Sequence, residues 1–184
     1  MDLEITAKIE CDRSTAFLIL ENNGWRLVKA YNQDTTYWTH LDISDVVDYR
    51  TLITNSILVR DTETKLLIYK QKQFDVNGNV IGEEKFEQII QDCTVVNKMF
   101  ELAGFKNWTT TITEQLIFAK DKSEFCIQDV QSLGLYLEIE NREGQTIDEL
   151  IVLAKGLGLP LGDDFVGIKL PYLVYLKSRN VKIY

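Results

Sequence analysis

Proline is almost missing from this chain: Pro160 and Pro171 are the only two in 184 residues, and both come late. No proline-rich linker divides the sequence, and a single domain over 1–184 is expected. Histidine is scarcer still. His40 stands alone, so a Ser-His-Asp or Cys-His site would depend on that one residue, and no supporting motif surrounds it. A loop position is its expected place. Cysteine is sparse and odd in number. Cys11, Cys93 and Cys126 lie far apart, which fits neither a disulfide framework nor zinc spacing and agrees with a reducing cytoplasm. Long apolar runs are absent too: none approaches the ~20 residues of a bilayer span, and the opening MDLEITAKIECD has no basic-then-apolar leader pattern. A soluble, unprocessed, cytoplasmic protein is expected. Positive charge is also short, with 20 Lys and Arg against 28 Asp and Glu, a net of −8. Such a surface repels nucleic acid and anionic membrane, so neither is an expected partner. A local basic cluster can still hold a small anion, because salt screens the more distant charges.

What the chain does have is alternation. LEITAKIE places Leu3, Ile5, Ala7 and Ile9 on one side and Glu4, Thr6, Lys8 and Glu10 on the other. LGLYLEIE repeats the pattern late in the chain, with Leu133, Leu135, Leu137 and Ile139 set against Gly134, Tyr136, Glu138 and Glu140. SILVRD and KLLIYKQKQF, separated by DTET, read as a hairpin. EEKFEQII, TTTITEQLIFAK and SEFCIQDV read as further strands. WRLVKAYNQDTTYWTHL is β-rich, with turn-like polar residues at its middle. DVNGNVIG is the strongest turn, because Asn77-Gly78 suits a tight hairpin. Helices are expected at DRSTAFLILENNG, ended by Gly24; at DISDVVDYRTLI, capped by Asp42 or Ser44; and at DCTVVNKMFELAGF, ended by Gly104. TIDELIVLAKGLG carries a Thr146/Glu149 capping box, and LPYLVYLKSRN reads as a short last helix. About eight strands joined mostly by short turns give a largely antiparallel sheet in an α+β protein. Its charged strand faces look either to water or into a closed barrel.

The order of these elements and the stretch IQDVQSLGLYLEIE resemble the CYTH superfamily, the triphosphate tunnel fold of class IV adenylate cyclases, thiamine triphosphatases and inorganic triphosphatases. Its late signature, L-D-x-V-x-x-L-G-x-F-x-E-I-E, is met by Ile127, Val130, Leu133, Gly134, Tyr136, Glu138, Ile139 and Glu140. Its E-x-E-x-K appears as Glu4 to Lys8, Q-x-D-x-Y-F as Gln33 to Trp38, L-R-x-R as Ile57 to Arg60, and L-T-Y-K as Leu67 to Lys70. ELAGF and PYLVYL also fall in step, so the resemblance covers almost the whole chain. It implies a closed, mostly antiparallel eight-stranded barrel with flanking helices, whose charged bore holds a triphosphate and a divalent metal, Mg2+ or Mn2+. Lys8, Arg60 and Lys70 would be the catalytic cations and grip phosphate, helped by Lys85, Gln115 and Gln128. Glu4, Glu138, Glu140 and Glu87 would hold the metal. A nucleoside or other organic triphosphate is the implied partner, and a homodimer the implied assembly.

The sequence departs from the family where charge is usually carried. Thr6 replaces a glutamate, Leu58 an arginine, Thr113 and Gln115 a basic pair, and Thr35 and Gln128 aspartates; Asp129 lies one position over, on the opposite face. Charge of both signs is lost together, which suits a bore holding a less charged ligand. Two functions follow: a metal-dependent cyclase or triphosphate hydrolase, or a catalytically impaired CYTH fold that binds a phosphorylated ligand or a protein. The plainer alternatives are a solvated strand face for Glu138 and Glu140 and surface positions for Lys8 and Arg60. Tyr37 and Trp38 suit packing, and Cys126 suits a buried inert thiol.

Overall fold

The computed structural model describes residues 4–45, 49–74, 80–140, 144–165 and 170–179. In chain order its elements are β1 (Glu4–Lys8), α1 (Arg13–Asn22), β2 (Arg26–Thr39), α2 (Tyr49–Thr54), β3 (Ser56–Asp61), β4 (Leu66–Phe74), β5 (Val80–Ile89), α3 (Cys93–Leu102), β6 (Lys106–Lys120), β7 (Ser123–Val130), β8 (Gly134–Glu140), α4 (Ile147–Gly156) and α5 (Leu170–Ser178). The strands form one eight-stranded antiparallel sheet in the order β1-β8-β7-β6-β2-β3-β4-β5, flanked by helices, an α+β fold. The order is open-ended, with β1 and β5 as terminal strands.

Local chemistry accounts for the helix ends. Asp12 caps α1, its carboxylate accepting from the Thr15 amide (2.9 Å) and from the Ser14 and Thr15 hydroxyls. Asp92 caps α3 in the same way, and Thr146 and Glu149 close a reciprocal capping box on α4. Two expectations are corrected. The turn placed within 25–41 does not occur: β2 runs unbroken through Asn32, Gln33 and Asp34. Of the helix placed over 42–53, the described residues show a 3-10 turn at Ile43–Asp45 and the helix α2, with residues 46–48 outside the described set. The Asn77-Gly78 turn also lies outside the described residues, between β4 and β5.

Contacts divide the chain into two compact units. The first comprises Met1–Asn32, Phe74–Gly82 and Thr113–Ile168, the second Gln33–Gln73, Glu83–Ile112 and Lys169–Tyr184. In the first unit, alternation gives the neighbouring strands β1, β8, β7 and β6 one oily face. Ile5, Leu137, Ile127 and Leu116 are fully buried on it, under Ala16 and Leu20 of α1 and Leu150 and Ala154 of α4. Each such side chain contributes on the order of 1.5–3 kcal/mol. Phe118 and Phe125 stack at 5.7 Å, with Phe17 and Trp25 edge-on to them.

The outer edge of β1 is used by the chain itself. Pro160 O accepts from Glu10 N (2.8 Å), Gly162 N donates to Lys8 O (2.9 Å), and Thr6 N donates to Phe165 O (3.1 Å). A lone bridge pairs Ile9 with Leu161. Backbone groups that would otherwise stand open on a terminal strand are thereby satisfied.

In the second unit, α3 covers Trp38, Val59 and Leu67, with Phe100 and Phe105 completing the cluster. A further cluster joins Leu52, Ile53 and Trp108 to Tyr37, Tyr172 and Tyr175. Both buried indoles find acceptors: Trp38 Nε1 donates to Asn97 Oδ1 and Trp108 Nε1 to Ser56 Oγ, each at 2.8 Å. Tyr37 and Trp38 therefore pack, as their types suggest.

The three hydrogen bonds that cap α1 lower the Asp12 carboxyl from 3.8 to about 2. A depressed folded pKa contributes stability that is complete above the unfolded value and is lost as pH falls through the folded one. Denaturant midpoints measured from pH 7 to pH 2 should show Asp12→Ala less stable than the parent at neutral pH, with the gap narrowing below about pH 4 and closing near pH 2.

Candidate functional site

The face opposite the oily one in the first unit is polar, and much of it is buried. Register places Thr6 opposite Glu138, Lys8 opposite Tyr136, Cys126 opposite Glu138, and Gln128 opposite both Tyr136 and Gln115. Opposed residues in antiparallel pairs share a face. Thr6, Thr113, Gln115 and Tyr136 are each at most 8% exposed. A buried polar group costs free energy unless it is paired, and several on this face are paired with one another. Gln115 Nε2 donates to Thr113 Oγ1 (3.0 Å), Cys126 Sγ donates to Gln115 Oε1 (2.9 Å), and Gln128 Nε2 donates to Glu138 Oε2 (2.5 Å). Burial first, and then the nearby Glu138, pushes the Cys126 thiol far up, so it stays protonated and unreactive; burial also raises the Tyr136 phenol. Where the family pattern carries charge, this chain carries a neutral hydrogen-bonded chain.

Three carboxylates remain. Glu4 lies opposite Glu140, and Glu138 is one step along β8 on the same face. One oxygen from each of Glu4, Glu138 and Glu140 lies within 4.8 Å of the other two. At that spacing each like-charge pair costs between about 1 and 4 kcal/mol, depending on the local dielectric. A hard divalent cation relieves this cost. Opposed oxygen ligands lie about 4.2 Å apart around Mg2+ and nearly 5 Å apart around Ca2+, so the trio fits such an ion after small side-chain rotations. Gln128 fixes the orientation of Glu138, as the outer partners of metal ligands do. Glu138 is half-buried and Glu140 exposed.

Lys8 reaches the turn between β7 and β8. Its ammonium donates to Leu133 O and lies 4.5 Å from the centre of the Tyr136 ring. A Cβ on Gly134 would stand 3.1 Å from the lysine nitrogen, and Gly134 has φ +85°. Only glycine serves both demands. Beside this turn, at the start of α1, lies an open cleft of about 420 Å³ lined in part by Lys8, Glu10, Arg13 and Asp129. Arg13 bridges Glu114 (2.5 Å) and Asp129 (3.5 Å), lowering the Glu114 carboxyl and holding Asp129 on the face opposite Gln128.

In the second unit, Arg60 lies opposite Thr35 on one side and Leu66 on the other. Thr35 is 1% exposed, yet neither its Oγ1 nor Arg60 Nε has a hydrogen-bond partner among the described residues. Leaving such a group unpaired costs about 1–3 kcal/mol. Leu58 and Ile68, directly opposed, are buried on the same strand face. Lys70, two residues beyond Ile68, is half-buried. Lys85 and Glu87 bind each other at 2.6 Å on β5. His40 is exposed on a bend, edge-on to Phe105.

The expected site residues thus fall into two sets, each described within its own unit: Glu4, Lys8, Gln115, Gln128, Glu138 and Glu140 on one polar face; Arg60, Lys70, Lys85 and Glu87 on β3 to β5. Sequence reasoning did not find the docking of Lys8 onto Tyr136 and Leu133. The glycine before Tyr136 was its only trace. The buried, unpartnered Thr35 left no trace, because a threonine in a strand is ordinary.

Compared with models of known protein families, the chain matches none. A curated relative from Methanocaldococcus jannaschii, named as a candidate adenylate cyclase, is 25% identical over 166 residues, covering 86% of this chain and 90% of its own. A solved structure from Pyrococcus horikoshii superposes with a TM-score of 0.68 at 18% identity, over 95% of this chain and 99% of that one. A candidate adenylyl cyclase from Hippeastrum, described as having a dominant triphosphatase activity, superposes at 0.66 with 12% identity, over 100% and 98%. A candidate adenylate cyclase from Vibrio parahaemolyticus does so at 0.63 with 12% identity, over 94% and 96%. At these identities the structures speak for the fold. The relative from Methanocaldococcus jannaschii matches along most of its length, in keeping with the resemblance drawn from the sequence.

An orphaned buried hydroxyl predicts its own mutational signature. Thr35→Val removes the unpaired oxygen while keeping the side chain's shape, so urea unfolding without ligand should show no loss of stability and a gain of up to about 2 kcal/mol. A loss above 1 kcal/mol would mean that the hydroxyl has a partner.

Proposed function

We propose that this protein binds a small molecule carrying a triphosphate, together with Mg2+ or Mn2+, and hydrolyses it slowly. The observation that carries this reading is the convergence of Glu4, Glu138 and Glu140, one oxygen of each lying within 4.8 Å of the other two. These three side chains would hold the metal. Once bound, the ion would neutralise phosphate oxygens and ease attack at phosphorus. Within the second unit, Arg60 offers a buried N–H that has no partner among the described residues, opposite Thr35, whose hydroxyl likewise has none there. Together with the half-buried Lys70, these donors suit terminal phosphate oxygens, which carry most of the charge. Lys8 is held by the Leu133 carbonyl and the Tyr136 ring, so its ammonium is positioned before any ligand arrives. Lys85 and Glu87 neutralise each other and have no part in the reading.

The reading does not require a plain β1–β5 ladder. Residues 160–165 occupy the outer edge of β1, within the first unit. Hydrolysis is favoured over cyclisation because the Hippeastrum protein is described by its triphosphatase activity. The rate should be low, because Leu58, Thr113 and Gln115 stand where the family carries cations.

A second reading has its own support. The Thr113–Gln115–Cys126 chain is complete without ligand, as a site that binds a phosphorylated compound without turning it over would allow.

The pure protein should be incubated with tripolyphosphate, ATP and thiamine triphosphate, with each metal, at neutral and alkaline pH. The expected outcome is metal-dependent phosphate release that Lys70→Ala lowers by about 10²-fold or more. Absence of turnover with thermal stabilisation by one of these compounds would favour the binding reading. Absence of both would overturn the proposal.

A further inference from the structure

The spacing of Glu4, Glu138 and Glu140 does not choose between ions. Separations of up to 4.8 Å admit the oxygen shell of Mg2+ and, after small rotations, that of Ca2+. The two ions differ in how a carboxylate holds them. Ca2+ takes roughly six to eight oxygens in a flexible shell and accepts both oxygens of one carboxylate. Mg2+ demands a near-ideal octahedron, whose adjacent corners lie about 2.9 Å apart, and keeps several waters. The two oxygens of one carboxylate sit closer together than those corners. Mg2+ therefore takes one oxygen from each carboxylate, and what holds the second oxygen decides how well Ca2+ competes.

For Glu138 that holder is Gln128. The two lie diagonally across the β7–β8 pair: Cys126 is opposite Glu138, and Gln128, two residues on, is opposite Tyr136. A side chain as long as glutamine's spans such a diagonal. Its Nε2 donates to Glu138 Oε2 at 2.5 Å. Gln128 has little room to turn away, because its cross-strand neighbours Gln115 and Tyr136 are both buried. An amide hydrogen on Oε2 competes with any ion for that oxygen. Thr6, directly opposite Glu138, adds no carboxylate on which a larger shell could draw. Cys126 adds no thiolate, since its protonated sulfur donates to Gln115.

We infer that Gln128 sets the metal preference of this site: by holding Oε2 it leaves Glu138 to bind through one oxygen, which favours Mg2+ and Mn2+ and handicaps Ca2+. The inference rests on the metal reading of the trio. It gives Gln128 a role toward the ion in place of the phosphate contact that the resemblance implies. Gln128 acts through Glu138 and is a positioning residue. Loss of its amide should therefore do more than weaken the site; it should admit Ca2+.

Competition tests this. Mn2+ bound to the protein is displaced by Mg2+ and, separately, by Ca2+, and the released ion is followed by electron paramagnetic resonance. In the parent, Mg2+ should halve the bound Mn2+ at a concentration no higher than Ca2+ requires. Gln128→Met keeps the side chain's length and loses the donor. In it, the ratio of Ca2+ to Mg2+ concentrations at half displacement should fall by about tenfold or more. Gln128→Ala should move the ratio the same way, with circular dichroism confirming that both variants fold. A purely structural role would weaken all three ions alike and leave the ratio unchanged, and that result would overturn the inference. So would a parent that prefers Ca2+, a measurement that needs no variant. A parent that binds no Mn2+ would remove the metal reading and this inference with it, whereas Mn2+ binding with an unchanged ratio would remove the inference alone.

Discussion

A strand face that is removed from water must pair every polar group it carries, and most of what distinguishes this protein follows from that constraint. The face of β1, β8, β7 and β6 opposite the hydrophobic core is polar and largely buried. Thr113, Gln115 and Cys126 meet it by bonding in series, and Gln128 by holding Glu138. Lys8 meets it with a carbonyl and an aromatic ring, at a turn where glycine leaves room for the ammonium. Among the described residues, Glu4, Glu138 and Glu140 bring three carboxylates close enough to repel one another, and it is there that a cation enters the account. The second unit shows the same constraint from its other side: Arg60 Nε and Thr35 Oγ1 are buried and have no hydrogen-bond partner among the described residues.

Alternation was the most legible part of the sequence. LEITAKIE and LGLYLEIE set the two faces of β1 and β8, and Asp12, Asp92 and Thr146 marked the starts of α1, α3 and α4 through side-chain chemistry that acts locally. The misjudged turn within β2 has a physical cause. Asn32, Gln33 and Asp34 are turn-forming types, but the strand leading into them, Arg26 to Ala30, is exposed, and an exposed strand selects weakly against polar residues. Residues 160–165 have no periodicity, because they pair along an edge and pack on one side only. The burial of Thr35 is set by neighbours distant in sequence, so composition carries no trace of it. The candidate site was legible to the extent that it lay on regular strands. Glu4 and Glu138 could be assigned to a shared face by counting in twos, whereas their closeness to Glu140 depends on the β1–β8 register.

The chain shares the fold of the solved structures it superposes on, while its polar face lacks charge of both signs at positions where the pattern it resembles carries it. Such paired loss is electrostatically consistent. Removing only the cations would leave the carboxylates uncompensated, and removing only the carboxylates would leave nothing to hold a metal. What remains is a reduced set: one carboxylate trio, a pre-positioned lysine, and an arginine beside a free hydroxyl.

The claim on which this account rests is that the carboxylate trio is a divalent cation site. Mn2+ titrated into the protein and followed by electron paramagnetic resonance tests it most directly, since the free ion's signal falls as it binds. The account predicts one ion bound per chain, with affinity lowered by about tenfold or more in Glu138→Gln. An undiminished free-ion signal, or binding that Glu138→Gln leaves unchanged, would contradict it.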